Sequence, residues 1–366
     1  MSCPERQRKA RRAAALLVFF LFLLGGCKSG QGSKDWSYKP NPANKGADIS
    51  VQIDFLEKRL KTRPDSFLEM AELASSYLSR GKTRRSATDL EKSQEWAEKS
   101  LENFPNSAAY LVKADYLQLH HRFDEALAVI EKVLEKEPGN QSALILATRI
   151  YLAQGKPEAA SQQLSGIPDS PLPGLLFLRG EVLEAQGDLK GARGAYQAAL
   201  DTESTSGSPS ESARMRGVWA RLELEQGNLE TAQALLEAAH AIPVEQPLTE
   251  VLRARLMAEE KNYKEASELL RSAFEHYRDP LFLVRLGEVQ WESGEKDKAR
   301  ETFATAAQLL KADSLGHERD LALALFYSDP EANAQKIKEL MTAELKRRED
   351  EETRRIEAIV SSAYKK

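Results

Sequence analysis

The chain has 366 residues, 42% hydrophobic and 30% charged, with 52 Lys+Arg against 56 Asp+Glu and a formal net charge of −4. A mildly acidic chain of mixed charge argues against a nucleic-acid binder, which carries a basic patch or stripe. Only two cysteines occur, Cys3 and Cys27, so no disulfide framework holds the fold and packing must.

The chain opens on a basic head (Arg6, Arg8, Lys9, Arg11, Arg12) followed by the apolar run Ala13 to Leu24. That run is shorter than the roughly 20 residues a membrane-spanning helix needs. A basic head, a short apolar core and small residues before a break make a secretory signal. The closing Leu24-Gly25-Gly26-Cys27 resembles the lipobox of bacterial lipoproteins. The resemblance implies a signal peptide over residues 1–26, cleavage before Cys27, and covalent lipid at Cys27: diacylglycerol on the thiol and an N-acyl chain such as palmitate on the new amino group. An ordinary signal peptide and an uncleaved amphipathic anchor are the plainer alternatives. Removing residues 1–26 leaves 47 basic against 55 acidic residues, a balance of −8. In a Gram-negative cell the family's inner-membrane retention signal is usually Asp after the cysteine. Lys28 in that place implies a protein lipid-anchored at the outer membrane and facing the periplasm.

Residues 27–48 form the lipidated cysteine and a linker rich in Gly, Ser, Pro and Asn, predicted to be a flexible tether with a spread of about 5–6 Å times the square root of its length. Trp36 and Tyr38 interrupt it and receive no role. Ala, Leu, Glu and Lys dominate the remainder, which reads as all-α. Ile49 to Arg63 is predicted to be a lone capping helix closed by Pro64.

From Phe67 to Leu310 the sequence repeats. Alanines recur at Ala126, Ala160, Ala192, Ala232, Ala266 and Ala299. Five residues before each lies a turn position: Gly155, Gly187, Gly227 and Gly294, with His121 and Lys261 as departures. Seven residues before the turn comes a small residue (Ala114, Thr148, Gly180, Ala220, Ala254, Gly287; Ala74 holds the same place in the first unit). Four residues after the alanine comes a bulky one (Ile130, Leu164, Tyr196, Leu236, Leu270, Phe303). Small residues on a first helix let a second helix approach closely, large ones fill the gap between successive units, and a left-handed glycine ends the first helix. The pattern resembles the tetratricopeptide repeat, a 34-residue helix-turn-helix unit. The resemblance implies a solenoid wound as a right-handed superhelix over residues 49–311, about seven repeats after the capping helix. Departures are expected at a long basic loop around Thr83 to Asp89, at a shortened second helix ending at Ile167-Pro168, and at a flexible break over 204–210. Arg179 and Arg253 fall where the repeat wants a core apolar residue, so the register can slip there. After Lys311 it is lost, though His317 to Tyr327 and Glu331 to Arg348 both show helical patterning and resemble the degenerate C-terminal units of some bacterial repeat proteins. Residues 312–366 read as a C-terminal helical cap with a solvated charge run from Glu349 to Arg355, or as a partner-binding helix.

Apart from the adjacent His120-His121, whose side chains would point about 100° apart on a helix, none of the five histidines is paired at metal-ligand spacing, and neither a Gly-rich phosphate loop nor a Gly-x-Ser-x-Gly motif occurs. No catalytic constellation is legible. The expectation is therefore a protein that is not an enzyme, with no cofactor, no metal, no nucleic acid and no small-molecule substrate. The resemblance implies that ligand-facing positions on a concave surface fall on Leu111, Asp115, Ile145, Arg149, Phe177, Glu181, Val218, Arg221, Val251, Arg255, Glu288 and Trp291. Arg149, Arg221 and Arg255 recur at one position and suit a peptide carboxylate or acidic side chains. Taken singly, each reads as a solvent-facing residue in a weak surface pair. The implied function is a membrane-anchored scaffold that orders protein partners of a bacterial envelope assembly (pilus, secretion, outer-membrane or polysaccharide-export machinery). The alternative is a regulatory module that grips a peptide or glycan and activates a cell-wall enzyme.

Overall fold

The structure is a computed structural model describing residues 36–39, 49–206, 208–312 and 317–362. The signal segment, Cys27 and Lys28 lie outside these. The chain divides into two units: Met1–Trp36, of which only Trp36 is described, and Ser37–Lys366, which holds every described helix.

The described residues form eighteen α-helices and no strand. A lone helix α1 (Ile49–Thr62) precedes eight antiparallel pairs: α2 (Phe67–Arg84) with α3 (Ala87–Asn103), α4 (Ser107–Leu119) with α5 (Phe123–Leu134), α6 (Gln141–Ala153) with α7 (Pro157–Ser165), and α8 (Pro173–Ala185) with α9 (Leu189–Ser206). Then come α10 (Pro209–Glu225) with α11 (Leu229–His240), α12 (Pro247–Glu259) with α13 (Tyr263–Tyr277), α14 (Leu281–Glu292) with α15 (Lys296–Ala312), and α16 (Glu318–Ser328) with α17 (Pro330–Arg347). A last helix, α18 (Glu351–Ser362), ends the stack. First helices of successive units touch one another along one side, and each second helix packs between its own first helix and the next.

Local chemistry sets the helix ends. The side chains of Ser86, Asn106, Asn140, Ser208 and Asp329 accept from backbone N–H groups three residues on, and Pro157, Pro173, Pro209, Pro247 and Pro330 open helices where no donor is needed. The four turn glycines all have positive φ, 73° to 88°. His121 (φ 54°) and Lys261 (φ 65°) adopt the same left-handed geometry despite their side chains, so the turn is imposed by packing and glycine only eases it.

All six recurring alanines are completely buried. The small-to-bulky match is physical contact: a Cβ on Gly180 would lie 2.4 Å from the Tyr196 ring, and one on Gly287 would lie 2.8 Å from the Phe303 ring. These contacts place Gly180 and Gly287 at the expected register. Arg179 and Arg253 sit half-buried beside it, paired with Asp169 and Glu250.

Three expectations are corrected. The first unit has no long basic loop: its additional residues lengthen α2 to eighteen residues, leaving only Arg85-Ser86 as a link with Arg85 left-handed. Gly81 is therefore helical, and it lets α3 close in, since a Cβ there would meet Leu90 at 2.8 Å. The repeat also continues past Lys311. Leu321 to Leu325, Ile337, Leu340, Met341, Ile356 and Val360 join one core with Phe303 and Leu310. The α16–α17 turn is made by Asp329-Pro330 instead of a glycine, so the two helices patterned in the sequence fell outside the repeat register. The break near 204–210 is brief, because α9 runs to Ser206 and α10 starts at Pro209.

Within the second unit the coil meets itself. Arg85 pairs with Asp279, His121 lies 6.1 Å from His317 ring to ring, and Glu349 donates its backbone N–H to the Gln154 oxygen at 3.1 Å. These contacts span 194, 196 and 195 residues, which marks the length of one turn of the coil.

Candidate interaction surface on the first helices

The side formed by first helices carries a ladder of ion pairs from one unit to the next. Lys82 on α2 holds Asp115 on α4 at 3.0 Å, and Arg214 on α10 holds Glu181 on α8 at 3.0 Å. Arg221 on α10 reaches Glu184 on α8 and Glu225 at 3.0 Å, while Arg255 on α12 stands 3.8 Å from Glu225. Arg285 on α14 meets Glu288 at 2.6 Å, Asp320 on α16 at 3.2 Å and Glu352 on α18 at 3.3 Å. Arg355 on α18 returns to Glu288 at 3.1 Å. The charge run of the last helix is thus turned onto this surface, and α18 occupies the place of a further first helix.

Electrostatics follow from burial and pairing. Burial pushes the Glu184 carboxyl up even with Arg221 and Tyr196 against it. Burial also works to raise Glu352, but the Arg355 hydrogen bond and the charges of Arg285 and Arg355 outweigh it and hold that carboxyl at about 2. For Arg285, burial opposes the charge, and the carboxylates of Glu288, Asp320 and Glu352 overcome it.

Against this frame the twelve predicted positions separate. Asp115, Glu181, Arg221, Arg255 and Glu288 are on the surface but engaged in the ladder. Leu111, Ile145, Val218 and Val251 are half-buried. Trp291 lies at the end of α14, 4.7 Å from Tyr327, with Lys296 and Arg300 over its face. Phe177 is a correction: it is fully buried and stacked on Tyr196 at 4.4 Å, because the space Gly180 leaves draws the tyrosine ring in beside it. Arg149 on α6 stands apart. It is half-buried and has no hydrogen bond or ion pair among the described residues, one turn from the apolar Ile145.

The sequence reading missed Lys82, Glu184, Arg214, Glu225, Arg285, Asp320, Glu352 and Arg355. Their signal was available as opposite charges one or two units apart: 33 residues for Lys82–Asp115 and Arg214–Glu181, 35 for Arg285–Asp320, 67 for Arg285–Glu352. Among the described residues no cluster of three or more His, Cys, Asp or Glu could hold a metal ion, and no helix is long and apolar enough to cross a membrane.

A stack of paired helices with small-against-large contacts is a tetratricopeptide-type α-solenoid. Tetratricopeptide repeat models match residues 117–171 and 150–209, and a tetratricopeptide repeat-like domain model matches residues 210–323. A curated relative, cellulose synthase operon protein C of Pseudomonas fluorescens, is 28% identical over 172 residues, which is 44% of this chain and 13% of that protein. The chain therefore spans a small part of that relative's length. Among solved structures, yeast Tom70 superposes with a TM-score of 0.52 at 16% identity, covering 80% of this chain and 62% of that one. The Cut9-Hcn1 hetero-tetramer of the APC/C gives 0.54 at 18% identity, with coverage of 87% and 61%. A tetratricopeptide repeat protein from Parabacteroides merdae gives 0.51 at 14% identity, with coverage of 66% and 93%. At these identities the likeness is one of fold.

Proposed function

We propose that this protein is a lipid-anchored, non-catalytic scaffold that holds a protein partner of the bacterial envelope against its first helices. The observation that carries the reading is Arg149. In a surface whose other recurring arginines, Arg221 and Arg255, face carboxylates, Arg149 is left half-buried without one, beside apolar Ile145. An unpaired guanidinium in a partly desolvated position suits an acidic side chain or a terminal carboxylate, which it can hold through two parallel hydrogen bonds. Apolar neighbours would grip the rest of an extended or helical peptide.

The lipobox-like Leu24-Gly25-Gly26-Cys27 supports attachment through Cys27, and Lys28 supports the outer membrane. Of the assemblies named above, polysaccharide export is favoured by the relative named as a cellulose synthase operon protein. Attachment is tested by Cys27→Ser. The expected result is release from membranes, or retention as the unprocessed chain, with helicity unchanged; a cleaved variant that still fractionates with the outer membrane contradicts it. The scaffold role is tested by purifying the intact lipoprotein from gently solubilised membranes. A multi-subunit membrane complex that travels with the wild type and is lost with Arg149→Glu supports it. Binding of a free peptide or glycan by the solenoid with no such complex supports the regulatory module instead.

A further inference from the structure

Glu203 on α9 and Arg216 on α10 are almost completely buried and face each other in a bidentate pair, both N···O distances 2.8 Å. Arg216 also donates to the Ser212 backbone oxygen at 3.0 Å. A buried ion pair is tolerated only when its remaining donors and acceptors are satisfied. Here the chain's own N-terminal segment helps to satisfy them. Arg216 donates its Nη2 to the Ser37 backbone oxygen at 3.1 Å, and the Lys39 backbone N–H donates to Glu203 Oε1 at 3.0 Å.

The carbonyl of residue 37 and the N–H of residue 39 flank Tyr38, and in extended chain these two groups point to the same side. One donor and one acceptor held side by side therefore read them as a neighbouring strand would. Both contacts are to backbone, so they select an extended chain and leave the side chains at 37 and 39 exposed. Tyr38 is half-buried, and burial together with the Glu203 charge pushes its hydroxyl up, which agrees with a segment seated on the solenoid.

We propose that Glu203 and Arg216 form a peptide-backbone binding site at the α9–α10 junction, and that its occupant is the chain's own segment Ser37–Lys39. The linker is then pinned to the middle of the solenoid and does not trail freely from α1. One consequence rests on the lipid attachment proposed above. With the segment seated, only residues 28–36 separate Cys27 from the docking point, a span of at most about 30 Å, in place of at most about 70 Å for residues 28–48 before α1. Failure of lipidation would leave the docking intact, so the two are read separately.

The first test is amide hydrogen exchange on the full chain. The Lys39 amide is expected to exchange at least about tenfold more slowly than a free linker amide. In the double variant Glu203→Leu with Arg216→Leu that protection is expected to vanish while the helices keep theirs, since apolar replacement of a whole buried pair is commonly tolerated. An unprotected Lys39 amide in the wild type, or protection that survives in a folded double variant, overturns the proposal. The second test leaves the solenoid untouched. A nitroxide attached at Ser37→Cys, in a chain with Cys3 and Cys27 replaced by Ser, is expected to be immobilised. It is expected to become mobile when Lys39→Pro removes the donated N–H. A label equally mobile with and without that change also overturns it.

Discussion

Glu349 donates its backbone N–H to the backbone oxygen of Gln154, 3.1 Å away across 195 residues of chain. Gly155 makes this approach possible: its φ is +73°, and a Cβ there would lie 2.8 Å from the Glu349 carbonyl carbon. The turn inside the third unit therefore carries two demands, a left-handed backbone and an open face toward the C-terminal units.

Gly155→Ala and Gly187→Ala separate these demands. Both place a side chain at positive φ and are expected to lose about 1–2 kcal/mol. Gly187 has nothing within 4 Å of its Cβ position, so only Gly155→Ala also displaces Glu349. Hydrogen exchange at the Glu349 amide is expected to accelerate in Gly155→Ala and to stay unchanged in Gly187→Ala. Equal rates in the two variants contradict the contact between early and late units.

Helical glycines give changes of opposite sign. Gly180→Ala is expected to destabilise by about 1–3 kcal/mol, because its methyl group would overlap the Tyr196 ring in a packed core. Gly194→Ala, in α9 with open space around it, is expected to stabilise by about 1 kcal/mol through helix propensity alone. Urea denaturation of the two variants reads both signs, and destabilisation by Gly194→Ala would count against its placement.

Lys261 occupies the left-handed turn position with an exposed side chain. Lys261→Gly is expected to raise stability by up to about 1–2 kcal/mol, since no Cβ then opposes the carbonyl. A lower midpoint in thermal melting would mean that the lysine side chain holds a contact there.

Much of the architecture was legible because packing wrote it at fixed spacing: six alanines, six turn positions and six bulky partners, all where the repeat needs them. The two helices of the eighth pair were legible over His317 to Tyr327 and Glu331 to Arg348, but their repeat register was not, because the turn is Asp329-Pro330, a cap with a proline start instead of a left-handed glycine. The placement of the candidate surface residues was legible in outline only. Phe177 occupies the periodic position of a surface residue, yet the neighbouring Gly180–Tyr196 contact buries it, and that depends on a helix nineteen residues away. Charge pairing across the first helices was missed because partners 33 to 67 residues apart share no local pattern.

Acid should weaken the end of the stack in a defined window. Glu352 has a carboxyl held at about 2 in the folded chain, below the ordinary 4.5. A depressed carboxylate contributes stability that is present above its unfolded value and is lost as pH falls through the folded one. The contribution of α18 should therefore fade between about pH 5 and pH 2. Glu352→Gln should flatten that part of the stability profile, as measured by urea unfolding at successive pH values. Parallel profiles for the variant and the wild type would contradict the pairing with Arg285 and Arg355.

The most direct test of the scaffold account is site-specific photo-crosslinking in cells. A photoreactive phenylalanine analogue is placed at Ile145, one turn from Arg149 on the first helix α6, and separately at Lys264, an exposed residue of the second helix α13. The account predicts one discrete protein adduct from position 145 and none from position 264, with the captured partner identified by mass spectrometry as an envelope protein. No adduct from position 145, or the same adducts from both positions, would contradict it.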